Sequence, residues 1–318
     1  MRNRTTLITG GCGFLGVSVA TRLLAMNTSW KIVLADLVRH TRMERISSRI
    51  QFAEANISNQ RECEELVTPD VDTVYHFASL VSGGAERDFA GGLNANVYAT
   101  INMLESCRKQ GNCPRFIFPS SIATFGGQNL PAVVDDSTCQ PPQNSYGVAK
   151  VVGEQTLNDY SRKGFIDGRG VRLPAIVVRD EANTAASGYA SALVREPIAG
   201  HNYVCPVPPD TRMPILSSKK AVEVLISLSE LPKGSLGDYR TINGPSISPS
   251  AAEIANAIKN CGVPNLGSIA FHPDPNIIAI VVGWPTEMRY DRAKELGFGS
   301  DPSIEAIVAD YIQGKPYV

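Results

Sequence analysis

Residues 6–16 read TLITGGCGFLG, and this stretch decides the fold. Its apolar first part predicts a buried strand, and residues 15–26 continue with the apolar spacing of a helix. Between the two stand Gly10, Gly13 and Gly16. Glycine at these positions permits a tight turn, the approach of a pyrophosphate to the backbone, and close packing of the helix on the strand. The N–H groups and positive dipole end of the helix would then hold the phosphates.

An acidic residue supports a dinucleotide as the ligand of this loop. Asp36 stands twenty residues after Gly16, at the end of the second predicted strand, where its carboxylate can accept hydrogen bonds from ribose hydroxyls. The same charge repels a 2′-phosphate, so the sequence favours NAD over NADP. Arg39 and Arg42 follow, and either could bind the 2′-phosphate of NADP, although we interpret both as solvated surface charges. A tight turn without any ligand is the alternative interpretation.

Strand-like and helical segments alternate through the first half of the chain. We predict strands at residues 6–9, 31–35, 73–76, 115–119 and 171–178, and helices at 15–26, 61–67, 93–110, 250–260 and 302–312. Alternation at this pace predicts parallel βαβ units, and hence an α/β fold with a doubly wound parallel sheet. Residues 180–214 are rich in Ala, Pro and Gly with little periodicity, which is typical of a functional insertion.

The length of 318 residues fits one large α/β domain with a smaller appendage. We predict that residues 1–180 form a dinucleotide-binding domain, to which residues 212–245 return. Residues 181–211 and 246–318 are predicted to form a smaller α/β substrate-binding region.

The composition points to a small-molecule partner. The net charge is −1, with 43% hydrophobic and 19% charged residues and no polybasic run, which argues against nucleic acid and membrane surfaces. Seven cysteines without CxxC spacing indicate reduced thiols, and the polar start of the chain lacks a secretory apolar region. We therefore expect a soluble, cytoplasmic protein. The four histidines are scattered, so no metal site is predicted.

A tyrosine and a lysine form the candidate catalytic pair. Tyr146 and Lys150 are four residues apart, which places both side chains on one face of a helix. A phenol is a poor base at neutral pH, but a nearby ammonium and an oxidised nicotinamide ring favour the phenolate. Tyr146 could then take a proton from a substrate hydroxyl as hydride leaves for the cofactor. The alternative is a Tyr and a Lys on a solvated helix face.

A serine at the end of the preceding apolar strand completes the candidate set. Ser121 can donate a hydrogen bond to a substrate oxygen and hold it against Tyr146. Ser120 is the competitor, and a polar strand end without function is the alternative for either residue. Because ligands of doubly wound sheets bind at the carboxyl ends of strands, this position favours a catalytic role.

These motifs together resemble the extended short-chain dehydrogenase/reductase family, which has a Rossmann-type fold. The resemblance rests on the glycine loop, Asp36, the VYHFA run at residues 74–78, Asn96, the two serines before Phe125-Gly126, the Tyr146–Lys150 pair and the closing segment 290–298. The middle of the chain, with segments 171–179 and 185–191, is similar to the D-erythronate dehydrogenase group. Residues 180–182 depart from the Pro/Gly-rich linker of that group.

The resemblance implies further roles in cofactor binding and assembly. In addition to Asp36, Tyr146 and Lys150, it implies contacts to NAD from Gly10, Gly13, Phe14, Leu15, Gly16, Asn56, Ile57, Phe77, Ala78, Asn96, Leu173, Pro174 and Ile176. At position 56 the family more often has Asp, and an amide can serve the same contact. It also implies a homodimer that pairs through the helices bearing Asn96 and Tyr146.

The substrate implied by the resemblance is a four-carbon sugar acid of the D-erythronate or L-threonate type, oxidised at C2. Arg212 is the candidate cation for its carboxylate, because a guanidinium can bind a carboxylate through two parallel hydrogen bonds. Arg195 and Arg179 are alternatives. The remaining candidate contacts are Ser82, Ser121, Tyr146, Asn183 and Ser187.

Three other functions stay open from the sequence. They are a sugar-nucleotide epimerase or dehydratase, a reductase of another small carbonyl compound in specialised metabolism, and a catalytically silent NAD-binding regulator. Intact Ser121, Tyr146 and Lys150 argue against the last.

Overall fold

The computed structural model describes residues 5–26, 30–40, 49–178, 187–281 and 283–314. The strands in chain order are β1 (Thr5–Thr9), β2 (Lys31–Asp36), β3 (Ile50–Glu54), β4 (Val71–His76), β5 (Arg115–Ser121), β6 (Val133–Val134), β7 (Asp167–Leu173), β8 (Ala175–Val177), β9 (Tyr203–Cys205), β10 (Ile215–Ser217), β11 (Thr241–Asn243), β12 (Ile269–Phe271) and β13 (Glu287–Met288).

The helices surround these strands. In chain order they are α1 (Phe14–Met26), α2 (Gln60–Leu66), α3 (Ser82–Arg87), α4 (Phe89–Leu93), α5 (Ala99–Gln110), α6 (Ser145–Arg162), α7 (Gly188–Ile198), α8 (Ser218–Glu230), α9 (Ala251–Lys259), α10 (Pro275–Val281), α11 (Asp291–Glu295) and α12 (Ile304–Ile312). A π-helical turn (Asn94–Tyr98) joins α4 to α5, and a 3-10 turn (Ile122–Thr124) follows β5.

The central sheet has seven parallel strands in the order β11-β7-β5-β4-β1-β2-β3. The chain moves outward in one direction from β1 through β2 and β3, and in the other from β4 onward. The carboxyl ends of β1 and β4 therefore flank the crevice where ligands of such sheets bind. The predicted α/β fold with a doubly wound parallel sheet is confirmed.

Both faces of the sheet are covered by helices, which explains why its strands are apolar on both sides. The α1–α8 face is packed by side chains such as Val19, Leu23 and Leu225, and the α2–α5–α6 face by side chains such as Met103 and Leu157. Both layers exclude water from the strands beneath the crevice.

A separate apolar cluster lies outside the sheet, between α7, α9 and α12. It supports the proposed division into a dinucleotide-binding domain and a substrate-binding region. Strand β11 and helix α8 pack on the central sheet, whereas Met213 and Ile215 lie in the separate cluster. The return of residues 212–245 to the first domain stays a proposal. Ala293 and Phe298 also pack in the α1–α8 layer, so we propose that segment 290–298 belongs with the first domain.

The segment 171–178 forms two strands rather than the single strand predicted. Strand β7 ends at Leu173, and β8 leaves the central sheet to pair with β10. Pro174 stands between them, and a proline has no N–H to continue the ladder.

Two further helical predictions need correction. The helix predicted at 93–110 begins earlier, at Phe89, and contains the π-helical turn. The segment thought to lack periodicity contains α7, whose buried Tyr189, Ala190, Leu193 and Val194 follow helical spacing. Among the described residues, none of the helices combines the length and the apolar character needed to cross a bilayer.

Candidate active site

The glycine loop lies directly against the end of β4. Gly10 has φ +62°, and a Cβ atom there would stand 2.5 Å from the Ala78 backbone nitrogen. The Phe77 N–H donates to the Thr9 carbonyl at 3.0 Å, which fixes this close approach. Phe77 and Ala78 therefore border the loop, and their implied contact with NAD stays a prediction. Only glycine meets both the positive φ and the contact.

The other two glycines of the motif differ in their surroundings. A Cβ at Gly16 would stand 2.5 Å from the Gly11 carbonyl oxygen, so this glycine lets α1 pack on the loop. Gly13 is exposed, and its nearest neighbour is the Gly10 carbonyl oxygen at 3.1 Å. The first-turn N–H groups of Phe14, Leu15 and Gly16 point out of the helix end, as in any helix. An exposed glycine beside these donors fits a pyrophosphate.

The Asp36 carboxylate is held beside this loop. One oxygen accepts a hydrogen bond from the Cys12 N–H at 3.0 Å, and the other from the Leu37 N–H at 2.8 Å. Each oxygen keeps a lone pair for a ribose hydroxyl. Arg39 is exposed, whereas Arg42 lies outside the described residues.

Asn56 and Ile57 lie next to Asp36 because the Ala55 N–H donates to the Asp36 carbonyl at 2.9 Å. The Asn56 amide oxygen accepts from the Ser58 N–H at 3.0 Å and shapes the turn into α2. Ile57 is buried. This turn therefore forms the far side of the predicted adenosine site.

The first turn of α6, which carries Tyr146, is fixed by two side chains. The Asn144 side-chain oxygen Oδ1 accepts from the Gly147 N–H at 2.8 Å, and the Glu86 carboxylate of α3 accepts from the Ser145 N–H at 3.0 Å. Tyr146 itself is half-buried. Two side-chain hydrogen bonds therefore fix the helix turn that carries the Tyr146 phenol.

A glycine packs the helix turn that carries Tyr146 against the segment that follows Ser121. Gly147 lies against the Ala123 carbonyl oxygen so closely that any side chain at position 147 would clash with it. The Ser121 hydroxyl oxygen accepts from the Ala123 N–H at 3.1 Å, so Ala123 is in contact with both Ser121 and the first turn of α6. The Ser121 O–H can still donate to a substrate oxygen.

Lys150 lies one helical turn after Tyr146 and is buried. Its Nζ is 5.4 Å from the centre of the Tyr146 ring and 4.8 Å from that of Phe118, and it donates to the Pro119 carbonyl at 2.9 Å. Burial lowers the pKa of Lys150, and the negative charge of Glu154 partly opposes this effect, so that the pKa is about 8. The ammonium form therefore dominates near neutral pH and is lost as the pH rises through about 8.

The two candidate serines have different partners. The buried Ser120 donates its hydroxyl hydrogen bond to Glu154 in the core. Ser121 is only half-buried, at the point where β5 ends. The geometry supports Ser121 as the serine that contacts substrate.

Comparison with known proteins decides the family. The NAD dependent epimerase/dehydratase family matches residues 6–228. The chain belongs to this family. It is 38% identical to the D-erythronate dehydrogenase of Cupriavidus necator over 96% of this chain and 97% of that protein.

Solved structures agree with this assignment. A nucleoside-diphosphate-sugar epimerase from Agrobacterium tumefaciens superposes with a TM-score of 0.91 at 33% identity, covering 99% of this chain and 95% of that one. An L-threonine dehydrogenase from Cupriavidus necator gives a TM-score of 0.89 at 26% identity, covering 98% and 99%. The predicted family, the NAD cofactor and the oxidoreductase class acting on CH–OH groups are confirmed.

In this epimerase/dehydratase-family enzyme, Leu173 pairs with Ser121 across β7 and β5. Pro174 follows, and the half-buried Ile176 lies in β8. Leu173 stands at the carboxyl edge of the central sheet, beside the end of β5 that carries Ser121. The contact to the nicotinamide implied by the resemblance stays a prediction.

The Asn96 side chain is engaged within the protein. Its amide oxygen accepts from the Ser79 hydroxyl at 3.0 Å and the Leu80 N–H at 2.7 Å, and its amide nitrogen donates to the Leu80 carbonyl at 2.9 Å. Asn96 is also buried. The structure therefore gives it a role in holding the loop after β4, and the cofactor contact that the resemblance implies stays a prediction.

Arg212 does not stand as a free cation. It forms a bidentate ion pair with Glu253, at 2.7 and 3.2 Å, and donates to the Ser248 carbonyl at 2.7 Å. Its side chain is 48% exposed. Because its guanidinium already binds a carboxylate of the protein, the structure does not support Arg212 as the substrate cation. Arg195 pairs with Glu196 at 2.8 Å, and Arg179 lies outside the described residues.

The small polar candidates are only partly brought together. Ser82 begins α3, the helix whose Glu86 caps α6, so it lies on the Tyr146 side of the crevice. Ser187 precedes α7 and makes no capping hydrogen bond with its side chain. Asn183 lies outside the described residues.

A buried ion pair between β7 and α6 was not predicted from the sequence. Arg172 of β7 binds Glu154 of α6 through Nε at 3.1 Å and through a terminal nitrogen at 2.8 Å. The signal was present, since an arginine stands inside an apolar strand and an acid follows Lys150 by one helical turn. Charged residues at such positions are almost never buried unless they are paired.

Proposed function

We propose that the enzyme oxidises a secondary hydroxyl of a small hydroxy acid, namely the C2 hydroxyl of a four-carbon sugar acid of the D-erythronate or L-threonate type. The observation that carries the proposal is the contact of Gly147 with Ala123, which packs the helix turn bearing Tyr146 against the segment that follows Ser121. The similarity to a D-erythronate dehydrogenase along nearly the whole chain supports the choice of substrate.

The roles of the protein groups follow from this arrangement. The Ser121 hydroxyl donates to the substrate oxygen and orients it. Tyr146, as the phenolate, accepts the proton of the substrate hydroxyl, and the Lys150 ammonium favours that phenolate. NAD supplies, when bound, the acceptor for the hydride of the substrate carbon. Ser82 and Ser187 are proposed contacts for the remaining hydroxyls.

The position of Asp36 supports NAD as the preferred dinucleotide over NADP. Its carboxylate faces the ribose side of the loop and would repel a 2′-phosphate. In the variant Asp36→Asn this repulsion is removed. We expect the ratio of kcat/KM for NADP to that for NAD to rise about tenfold, equivalent to about 1.4 kcal/mol. Initial rates with both dinucleotides measure it, and an unchanged ratio would remove Asp36 from cofactor selection.

A substrate panel tests the proposed function. Purified enzyme is incubated with NAD and D-erythronate, L-threonate, related aldonic acids, or nucleotide sugars, and NADH formation is followed by absorbance. We expect stoichiometric NADH with at least one four-carbon acid and none with nucleotide sugars. Interconversion of nucleotide sugars without net NADH would instead identify an epimerase, and NAD binding without any turnover would identify a regulator.

We also propose a homodimer, which the family resemblance implies. Large apolar side chains are exposed along α4, the π-helical turn and α6, namely Phe89, Tyr98, Val148 and Val152. A second copy of the chain would cover them. The pairing stays a prediction.

A further inference from the structure

Helix α6 holds the end of β5 at two consecutive residues. Lys150 donates to the Pro119 carbonyl at 2.9 Å, and Glu154, one turn later, accepts from the Ser120 hydroxyl. Between them, Gly153 lets the helix pack directly on the Phe118 ring. Two hydrogen bonds and one close packing contact therefore fix α6 against the strand that ends in Ser121.

Glu154 is the centre of a fully engaged polar cluster. Besides Ser120, its carboxylate accepts hydrogen bonds from Arg172, from the Gln140 amide at 3.1 Å and from the Tyr239 hydroxyl at 3.3 Å. Ser120 and Arg172 are directly paired across β5 and β7, which puts both on the α6 side of the sheet. The carboxylate is thus held from two strands, β5 and β7, and from the loops that carry Gln140 and Tyr239.

We propose that Glu154 is a positioning residue of the active site, which sets the place of Ser121 through Ser120 and supports the ammonium form of Lys150 through its charge. This inference rests on the proposed function, in which Ser121 and Lys150 act on the substrate and on Tyr146. A stabilising role alone is a weak reason for the cluster, because a buried ion pair is often no more stable than an apolar pair of similar volume.

The sign of the charge effect is clear from the groups around Lys150. The charged or titratable groups that influence Lys150 are Glu154 on its own helix and the buried His76 of β4, whose low pKa of about 3 keeps it neutral near neutral pH. Tyr146 contacts its Nζ. Arg172 faces the far side of Glu154. Replacing Glu154 by a neutral residue removes a negative charge near Lys150 and leaves the positive charge of Arg172 unpaired. Both effects disfavour the Lys150 ammonium and therefore lower the pKa of Lys150.

The test compares Glu154→Gln with variants that separate position from charge. Glu154→Asp keeps the charge but is too short to reach Ser120, and Ser120→Ala removes the hydrogen bond alone. Thr156→Ala, at a half-buried site of the same helix where the hydroxyl donates to the Val152 carbonyl, is the matched control. Glu154→Gln combined with Arg172→Gln keeps the cluster neutral if the single variant does not fold.

Two readouts are needed. Lys150 titration is followed by NMR in protein with 13C-labelled lysine, assigned with Lys150→Met, and it needs no substrate. We expect the Lys150 midpoint to fall by about one pH unit in Glu154→Gln, and by less in the double variant, because the positive charge of Arg172 is removed with it. The midpoint is expected to stay in place in Glu154→Asp and Ser120→Ala. In the hydroxy-acid assay, Ser120→Ala and Glu154→Asp are expected to lose about tenfold or more in kcat with little change in KM for NAD.

An unchanged Lys150 midpoint in both Gln variants would overturn the charge role, and wild-type kcat in Ser120→Ala and Glu154→Asp would overturn the positioning role. Failure of the wild-type enzyme to oxidise any hydroxy acid would contradict the proposed function instead. In that case the NMR midpoints still decide whether Glu154 acts on Lys150.

Discussion

The variant Tyr146→Phe is expected to lower kcat for hydroxy-acid oxidation by about a thousandfold, because a general base contributes about 10²–10⁴ to the rate. The ring stays in place, since Tyr146 lies on a capped helix turn with the Lys150 ammonium near its ring. Only the hydroxyl that takes the substrate proton is removed. NAD affinity, measured by calorimetry, should stay within about threefold of wild type, equivalent to about 0.6 kcal/mol.

Tyr160→Phe is the matched control for this variant. Tyr160 lies on the same helix, and its hydroxyl binds Glu105, away from the crevice. Its loss is expected to leave kcat within about twofold, because substitutions away from functional features change little. Turnover by Tyr146→Phe at the control's rate would assign proton transfer to another group.

The variant Gly13→Val is expected to lose NAD binding by about ten- to hundredfold while it folds normally. Its backbone needs no positive φ, and among the residues that the structure describes an added Cβ meets only the Gly10 carbonyl oxygen, at 3.1 Å. The side chain would instead project where the pyrophosphate approaches the helix end. Overpacking of this kind costs about 1–3 kcal/mol, which corresponds to the stated loss of affinity.

Calorimetric titration with NAD and thermal unfolding measure the two effects separately. Gly299→Val is the matched control, because a Cβ at this exposed site has no neighbour within 4 Å in the described part of the chain. It is expected to keep both the affinity and the melting temperature. Gly10→Ala provides the contrast, since its positive φ and contact with Ala78 make loss of stability the expected result. Wild-type affinity in Gly13→Val would show that the dinucleotide does not approach this glycine.

Local spacing was sufficient to predict the sheet and the cofactor loop. The three glycines, Asp36 and the Tyr146–Lys150 spacing each depend on neighbours within one turn or one βαβ unit, and such short-range constraints can be read from the sequence. Strand β3 was missed because its exposed and half-buried side chains give no clear apolar run.

Partners that are distant in sequence could not be predicted. The pairing of Arg212 with Glu253, 41 residues away, depends on how α9 packs against the segment before β10. Its sequence context therefore gave no sign that the guanidinium would be engaged. The Glu154–Arg172 pair has the same origin, because α6 and β7 meet only in the folded chain.

The π-helical turn at Asn94–Tyr98 makes this part of the chain sensitive to length. A π-turn adds one residue to a helix, so removing one residue would restore regular α-helical phase. Each residue turns the helix by about 100°, and the deletion would rotate Asn96 away from Ser79 and Leu80 or carry α5 out of register with α2. A substitution in this turn keeps the number of residues unchanged. A single-codon deletion cannot keep both the Asn96 hydrogen bonds and the packing of α5 on α2.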